Sequence, residues 1–216
     1  MDEIVIIDYG MGNLRSVQKG FERVGCQAQV TRDLQKIASA RGVVLPGVGA
    51  FSACMENLRR FGLVEPIQEV VHQKKPFLGI CLGFQLLFTE SEEFGPQRGL
   101  DLLPGRVVAF RSENGLKVPH MGWNRIGKKK ETPFLEGISD GDYVYFVHSY
   151  FVVPEDASIV ATTTAYGSSF VSSIATDHLF ASQFHPEKSQ EIGLRILANF
   201  VRFVERGISH ADHSRH

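Results

Sequence analysis

The chain has 216 residues, 43% of them hydrophobic and 22% charged, with a formal net charge of −1. That balance suits one soluble domain with a full core. It excludes a strong field for recruiting nucleic acid or an acidic membrane surface.

The apolar run Ile4–Ile7 predicts a strand covered on both faces. No basic leader precedes it, and it is too short for a signal peptide or a membrane span. Three cysteines, Cys26, Cys54 and Cys81, follow no motif spacing, which argues for a reducing compartment and a cytoplasmic location. Leu14, Val17, Phe21 and Val24 recur at helical spacing, with Gly25 as the stop. Gln27–Thr31 predicts a second strand, Asp33 caps a short helix through Ala38, and Val43–Leu45 is a third strand. It runs directly into Pro46-Gly47-Val48-Gly49-Ala50-Phe51. Helices from Ser52 to Arg60 and from Pro66 to Gln73 precede a buried strand, Phe77–Ile80. Behind Cys81, Leu82, Leu86 and Leu87 fit one face of a further helix.

This alternation predicts a parallel sheet with helices on both faces. Gly10-Met11-Gly12 lacks the third glycine of a dinucleotide fingerprint. The second half differs in character. Arg106–Phe110, Tyr143–Val153, Ser158–Thr163, Phe170–Ala175 and Leu179–Gln183 read as strands with little helix between them, which predicts an antiparallel portion. Lys128-Lys129-Lys130 reads as a solvated loop. A helix from Ser189 to Glu205 ends at Gly207, and residues 208–216 read as a polar, frayed tail. The expected fold is a single α/β domain over residues 1–207. Its sheet is mixed, mostly parallel and flanked by helices, with the antiparallel portion in the second half.

Gly79-Ile80-Cys81-Leu82-Gly83 places a cysteine in a Gly-x-nucleophile-x-Gly pattern at a strand-to-helix turn. Such a turn lifts the thiol above the sheet, and its glycines keep neighbouring Cβ atoms away. The start of the helix favours the thiolate and leaves the Leu82 N–H for an oxyanion. A reactive thiol needs a base, and the base needs an orienting acceptor. Of eight histidines, His185 stands out. It lies in Gln183-Phe184-His185-Pro186-Glu187-Lys188-Ser189, with a carboxylate two residues on that can fix the imidazole tautomer. No pair of histidines or cysteines has metal-ligand spacing beside a third candidate, so neither a metal nor another cofactor is expected. His120 and His178 read as structural.

The Cys81 elbow together with His185-Pro186-Glu187 resembles the class I (triad) glutamine amidotransferases, whose fold is a mixed α/β sheet flanked by helices. Within that family the chain is most similar to the glutaminase subunits of imidazole glycerol phosphate synthases. The segments carrying the narrower likeness are Asp8–Leu14, Leu45–Phe51, Pro119–Asn124, Phe146–Tyr150 and Gln183–Ser189. The resemblance implies that Cys81 attacks the side-chain amide carbon of L-glutamine, that His185 is the base and acid, and that Glu187 orients it. It implies oxyanion donors at the Leu82 N–H and in the glycine loop, at Val48 or Gly49. Gln85, Ser149 and Tyr150 would line the glutamine pocket. The implied partner is a (β/α)8-barrel cyclase that receives ammonia along a sheltered path. Asn13, Met121, Trp123, Asn124 and Lys188 are the residues expected to face it, Trp123 as an anchor. The competing readings are the amidotransferase subunit of another synthase, a scaffold with a dead site, and a cysteine peptidase.

Overall fold

A computed structural model describes residues 4–111 and 115–212. In the first half, strands β1 (Ile4–Ile7), β2 (Gln29–Thr31), β3 (Gly42–Gly47) and β4 (Phe77–Cys81) alternate with helices α1 (Leu14–Arg23), α2 (Leu34–Ser39), α3 (Phe51–Arg60) and α4 (Val64–His72). After β4 come α5 (Leu82–Gln85), β5 (Phe88–Ser91), β6 (Gln97–Arg98), β7 (Leu103–Ala109), β8 (His120–Arg125) and β9 (Gly127–Lys128). The chain closes with β10 (Tyr143–His148), β11 (Tyr150–Pro154), β12 (Val160–Tyr166), β13 (Ser168–Ala175), β14 (Leu179–Ser182) and α6 (Gln190–Asp212).

Among the described residues the main sheet has eight strands, in the order β2-β1-β3-β4-β14-β13-β12-β9. From β2 through β14 the neighbours run parallel. Beyond β14 the ladder is antiparallel. The β-branched first strand alternates between two cores, as a strand covered on both faces must. Val5 and Ile7 join one core with residues of α2, α3 and α4, such as Ile37, Met55 and Val70. Ile4 and Ile6 join the other with Val17 and Phe21 of α1 and with Leu197 and Phe200 of α6. Two smaller sheets, β11-β7-β5-β6 and β10-β8, complete the molecule. Among the described residues no helix is long and apolar enough to cross a membrane.

Four local expectations differ from what the chain does. The run Tyr143–Val153 is two strands in two sheets, broken at Ser149: β10 pairs with β8, and β11 with β7. The corner is tied by the His148 Nδ1 contact to the Tyr150 carbonyl at 2.8 Å. The helix behind Cys81 is one turn of 4 residues. The carbonyls that would continue it are taken by the 100–103 segment: Leu100 N–H donates to Leu86 O at 2.8 Å, and Leu102 N–H to Leu87 O at 2.9 Å. The lysine run is only partly a solvated loop: Lys128 ends the edge strand β9, Lys129 is exposed, and the ammonium groups of Lys128 and Lys130 turn back onto the protein. Lys130 Nζ donates to the Ser158 carbonyl, and Lys128 Nζ to that of Ile138. Finally, α6 continues through Gly207 to Asp212; the last part of the expected tail, 213–216, lies outside the described residues.

Candidate active site

Three adjacent parallel strands, β3, β4 and β14, deliver the chemistry-bearing segments to one edge of the sheet. In open α/β sheets this carboxyl edge is where sites form. Strand β4 ends at Cys81, which turns into α5 with φ 55° and ψ −108°. A positive φ on a side-chain-bearing residue is strained, by about 1–3 kcal/mol, so the surroundings must enforce it. Gly79 and Gly83 have no positive φ; they serve clearance instead. A Cβ on Gly83 would sit 1.9 Å from the Leu45 carbonyl oxygen, and one on Gly79 would meet Ala181 Cβ at 3.0 Å. Gly47 is equally confined, with Gly83 N 2.7 Å from where its Cβ would be. The glycines let α5 press against β3, and that contact forces the turn onto Cys81.

His185 follows β14 and is fixed through its backbone. Its N–H donates to the Tyr145 carbonyl at 3.0 Å. Its carbonyl accepts from Ser189 Oγ at 2.6 Å, and that hydroxyl in turn accepts the Tyr145 N–H at 2.9 Å. The ring donates from Nδ1 to Glu187 Oε1 at 2.8 Å, with both side chains at most 2% exposed. A carboxylate oxygen only accepts, so the proton on Nδ1 is assigned. Nε2 is buried, without a hydrogen-bond partner among the described residues, and His185 lines the same cavity as Cys81. Burial alone would push the imidazole down, but the neighbouring Cys81 sulfur when ionised, by charge and hydrogen bonding, and after it the Glu187 carboxylate, outweigh burial and raise it to about 10. With the sulfur ionised, His185 is held protonated, and Nε2 is the ring nitrogen left to exchange a proton, since Nδ1 is engaged by Glu187.

A cavity of about 480 Å³ opens at this edge, lined by Val48, Gly49, Cys81, Gln85, Tyr150 and His185 among others. Ser149 lines it too, so the three residues expected in the substrate pocket are all there. Gln85 donates both Nε2 hydrogens, to the Tyr150 carbonyl at 2.9 Å and to Gln183 Oε1 at 3.0 Å. Leu82 opens α5, and its N–H has no intrahelical acceptor. In the glycine loop the Val48 carbonyl accepts from the Cys54 thiol at 3.6 Å, and Tyr9 Oη donates to the Pro46 carbonyl at 2.8 Å. Burial pushes Cys54 up to about 11, so it remains a donor. With the Val48 carbonyl drawn toward Cys54, the trans peptide turns the Gly49 N–H the opposite way. A larger cavity of about 790 Å³ beside Arg106 and Phe151 contains neither Cys81 nor His185.

Of the residues expected at a partner surface, Met121 is 62% and Trp123 45% exposed. Both lie on one face of β8, since alternate residues of a strand share a face. Trp123 packs edge-on against Tyr145, over which Lys188 also lies. Asn13 is exposed and caps α1. Asn124 departs from the expectation: its amide turns inward to His120 Nε2 at 3.2 Å and the Ala165 carbonyl at 3.0 Å. Sequence reasoning passed over Gln183, which is fully buried and donates to the Cys81 sulfur at 3.8 Å. It also passed over Glu93, whose carboxylate takes the Phe51 N–H at 2.7 Å beside the cavity. A polar amide closing an otherwise apolar strand, Leu179–Ala181, is the one signal that pointed to Gln183.

Residues 5–203 match the family "Glutamine amidotransferase class-I". The chain is 61% identical over 202 residues to "Imidazole glycerol phosphate synthase subunit HisH" of Syntrophotalea carbinolica, covering 91% of this chain and 98% of that one. It is 55% identical to the protein of the same name from Geobacter sulfurreducens, over 93% of this chain and 98% of that one. A solved structure titled "Crystal structure of glutamine amidotransferase" superposes with a TM-score of 0.72 at 18% identity, covering 93% of this chain and 98% of that one, which is a likeness of fold. By a family match that spans most of its length, the chain belongs to the class-I glutamine amidotransferases.

Proposed function

We infer that the chain is the glutaminase subunit of an imidazole glycerol phosphate synthase. It hydrolyses L-glutamine to glutamate and ammonia and hands the ammonia to a cyclase subunit in histidine biosynthesis. The observation that carries the reading is the convergence of the Cys81 sulfur and the Glu187-bound His185 on one cavity; the relatives named as synthase subunits support the pathway.

Cys81 is the nucleophile. As its thiolate adds to the side-chain amide carbon, the N–H groups of Leu82 and Gly49 receive the oxyanion. Gly49 is favoured over Val48 because the Val48 carbonyl is drawn toward Cys54. His185 gives its Nε2 proton to the departing amine, which leaves as ammonia with a glutamyl thioester behind it. The now neutral imidazole takes a proton from water, water attacks the thioester, and glutamate leaves. Glu187 holds the ring and stabilises its charge throughout. Gln85, with both amide hydrogens engaged, offers its Oε1 to the substrate's ammonium group. Ser149 and Tyr150 complete the pocket.

Ammonia released into water at neutral pH protonates and is lost as a nucleophile. The product therefore needs a sheltered route, and the partner proposed for it is a (β/α)8-barrel cyclase. Met121, Trp123, Lys188 and Asn13 form the docking face, and both subunits work in the cytoplasm. The test is glutamate release from L-glutamine by wild type and Cys81→Ala, each alone, with the cyclase, and with cyclase plus its ribonucleotide. Activity that rises with partner and ribonucleotide and vanishes in Cys81→Ala is expected. Activity independent of the partner would remove the synthase assignment. Peptide cleavage in place of glutaminase activity would favour a peptidase.

A further inference from the structure

The support for the Cys81 anion has to come from groups that touch the sulfur. The helix behind it is a single turn of 4 residues, too short to build the dipole of a longer helix. The Val147 carbonyl accepts from the thiol at 3.9 Å, a contact that turns repulsive once the proton leaves. Among the described residues, the side-chain donor that reaches the sulfur is Gln183 Nε2, at 3.8 Å.

The orientation of that amide is determined by its neighbours. The Tyr150 carbonyl can only accept, and it faces Gln85 Nε2 at 2.9 Å. This fixes which end of the Gln85 amide is nitrogen, and the same nitrogen donates to Gln183 Oε1 at 3.0 Å. Gln183 therefore presents oxygen to Gln85 and N–H to sulfur. Two buried amides, Gln85 at 4% and Gln183 at 0% exposure, form a directed string from one backbone carbonyl to the nucleophile. In a site screened from water, a donor aimed at a developing charge needs no reorganisation at the moment of reaction.

We propose that Gln183 is a catalytic residue that binds the Cys81 thiolate through its Nε2–H, with Gln85 as the positioning residue that keeps the amide from flipping. The proposal rests on the glutaminase reading for its place in the cycle. Before attack, the N–H stabilises the sulfur anion whose proton His185 holds. After water adds to the thioester, giving its proton to His185, the tetrahedral intermediate collapses and the carbon–sulfur bond breaks. The bonding pair returns to sulfur, and the same N–H receives that charge.

The test is the pH dependence of Cys81 alkylation by iodoacetamide, followed on the Cys81 peptide by mass spectrometry, in wild type, Gln183→Met and Gln183→Glu. Gln183→Met keeps the volume and removes the donor. It should move the alkylation profile to higher pH by about one unit and slow the neutral-pH reaction about tenfold, with a similar fall in glutaminase kcat. Gln183→Glu keeps the shape and the acceptor for Gln85 and places a carboxylate by the sulfur, so its shift is in the same direction and larger. It carries the test if the methionine variant does not fold. A purely structural Gln183 would loosen Gln85 and raise KM for glutamine while the alkylation profile stayed where it is in wild type; that result would overturn the assignment. Alkylation involves no glutamine. A shifted profile in a protein without glutaminase activity would keep Gln183 as thiolate donor and remove only the substrate reading.

Discussion

At Glu187 one carboxylate oxygen holds His185 Nδ1 at 2.8 Å, while the other is buried with no hydrogen-bond partner among the described residues. The charge of this group is thus directed at a single ring. Glu187→Gln keeps the shape but offers the ring either an N–H or a weaker acceptor. Turnover should fall between about 100- and 10,000-fold with the thermal melt little changed; unchanged turnover would exclude Glu187 from the mechanism. Gly83 makes a prediction of the opposite kind. An added Cβ would lie 1.9 Å from the Leu45 carbonyl oxygen, and backbone cannot swing aside as a side chain can. Gly83→Ala should cost about 3 kcal/mol or more, measured by denaturant unfolding, and should displace the Cys81 turn. Cys81 and His185 were legible in the sequence as candidates because each sits in a short local motif whose chemistry is carried by residue type, and the fold brings both to one cavity. Gln183 was passed over because a neutral amide at a strand end signals burial at most, and its chemistry emerges only when the fold sets it between Gln85 and a sulfur. Asn124 looked like a surface residue for the related reason that strand alternation, not composition, decides which way it points.

Among elements, the antiparallel pair β8 and β10 encloses a buried imidazole pair. His120 Nδ1 meets His148 Nε2 at 2.9 Å, and His148 Nδ1 meets the Tyr150 carbonyl at 2.8 Å. The carbonyl accepts, so His148 carries its proton on Nδ1, and the neutral pair orders itself from that end. Burial lowers His120 to about 4 and His148 to about 3. In the unfolded chain both protonate near about 6.5. The folded protein therefore resists protons that the unfolded chain accepts. The stabilisation is complete above about 6.5 and is lost progressively as the pH falls toward those lower values. Thermal melts should drop across that acid window, with a shallower slope in His120→Gln; equal slopes would show that the pair does not set acid stability. The sequence-based strand Tyr143–Val153 missed this arrangement. Apolar residues resume directly after His148-Ser149, so two polar positions read as a passing interruption of one strand, and the hydrogen bonds to two different sheets reveal them as the break.

For the whole molecule, the alternating first half was readable as a parallel sheet because continuous β-branched strands separated by amphipathic helices allow few other arrangements. Strand order was not readable. Nothing local tells β14, near the end of the chain, to insert beside β4, yet that insertion is what brings His185 to Cys81. The exposed Met121 and Trp123 are the residues proposed to carry a second subunit. Trp123→Ala should weaken the complex about 30-fold, or about 2 kcal/mol, by titration calorimetry, while leaving the glutaminase rate of the isolated chain unchanged. An unaltered affinity would place the docking face elsewhere.

The ribbon of β8 and β10 has a mechanical consequence. Among the described residues it has two strands, without the flanking ladders that stiffen a wide sheet. One strand bears Met121 and Trp123. The other supplies the Val147 carbonyl beside the sulfur and the Tyr145 backbone groups that hold His185 and Ser189. A body resting on the first strand would restrict the flexing of the second, and so narrow the jitter between Cys81 and His185 without adding a single contact at either. Such a clamp would be recorded as slower amide hydrogen exchange at Tyr145 and Val147 on complex formation, with the distances at the sulfur unaltered.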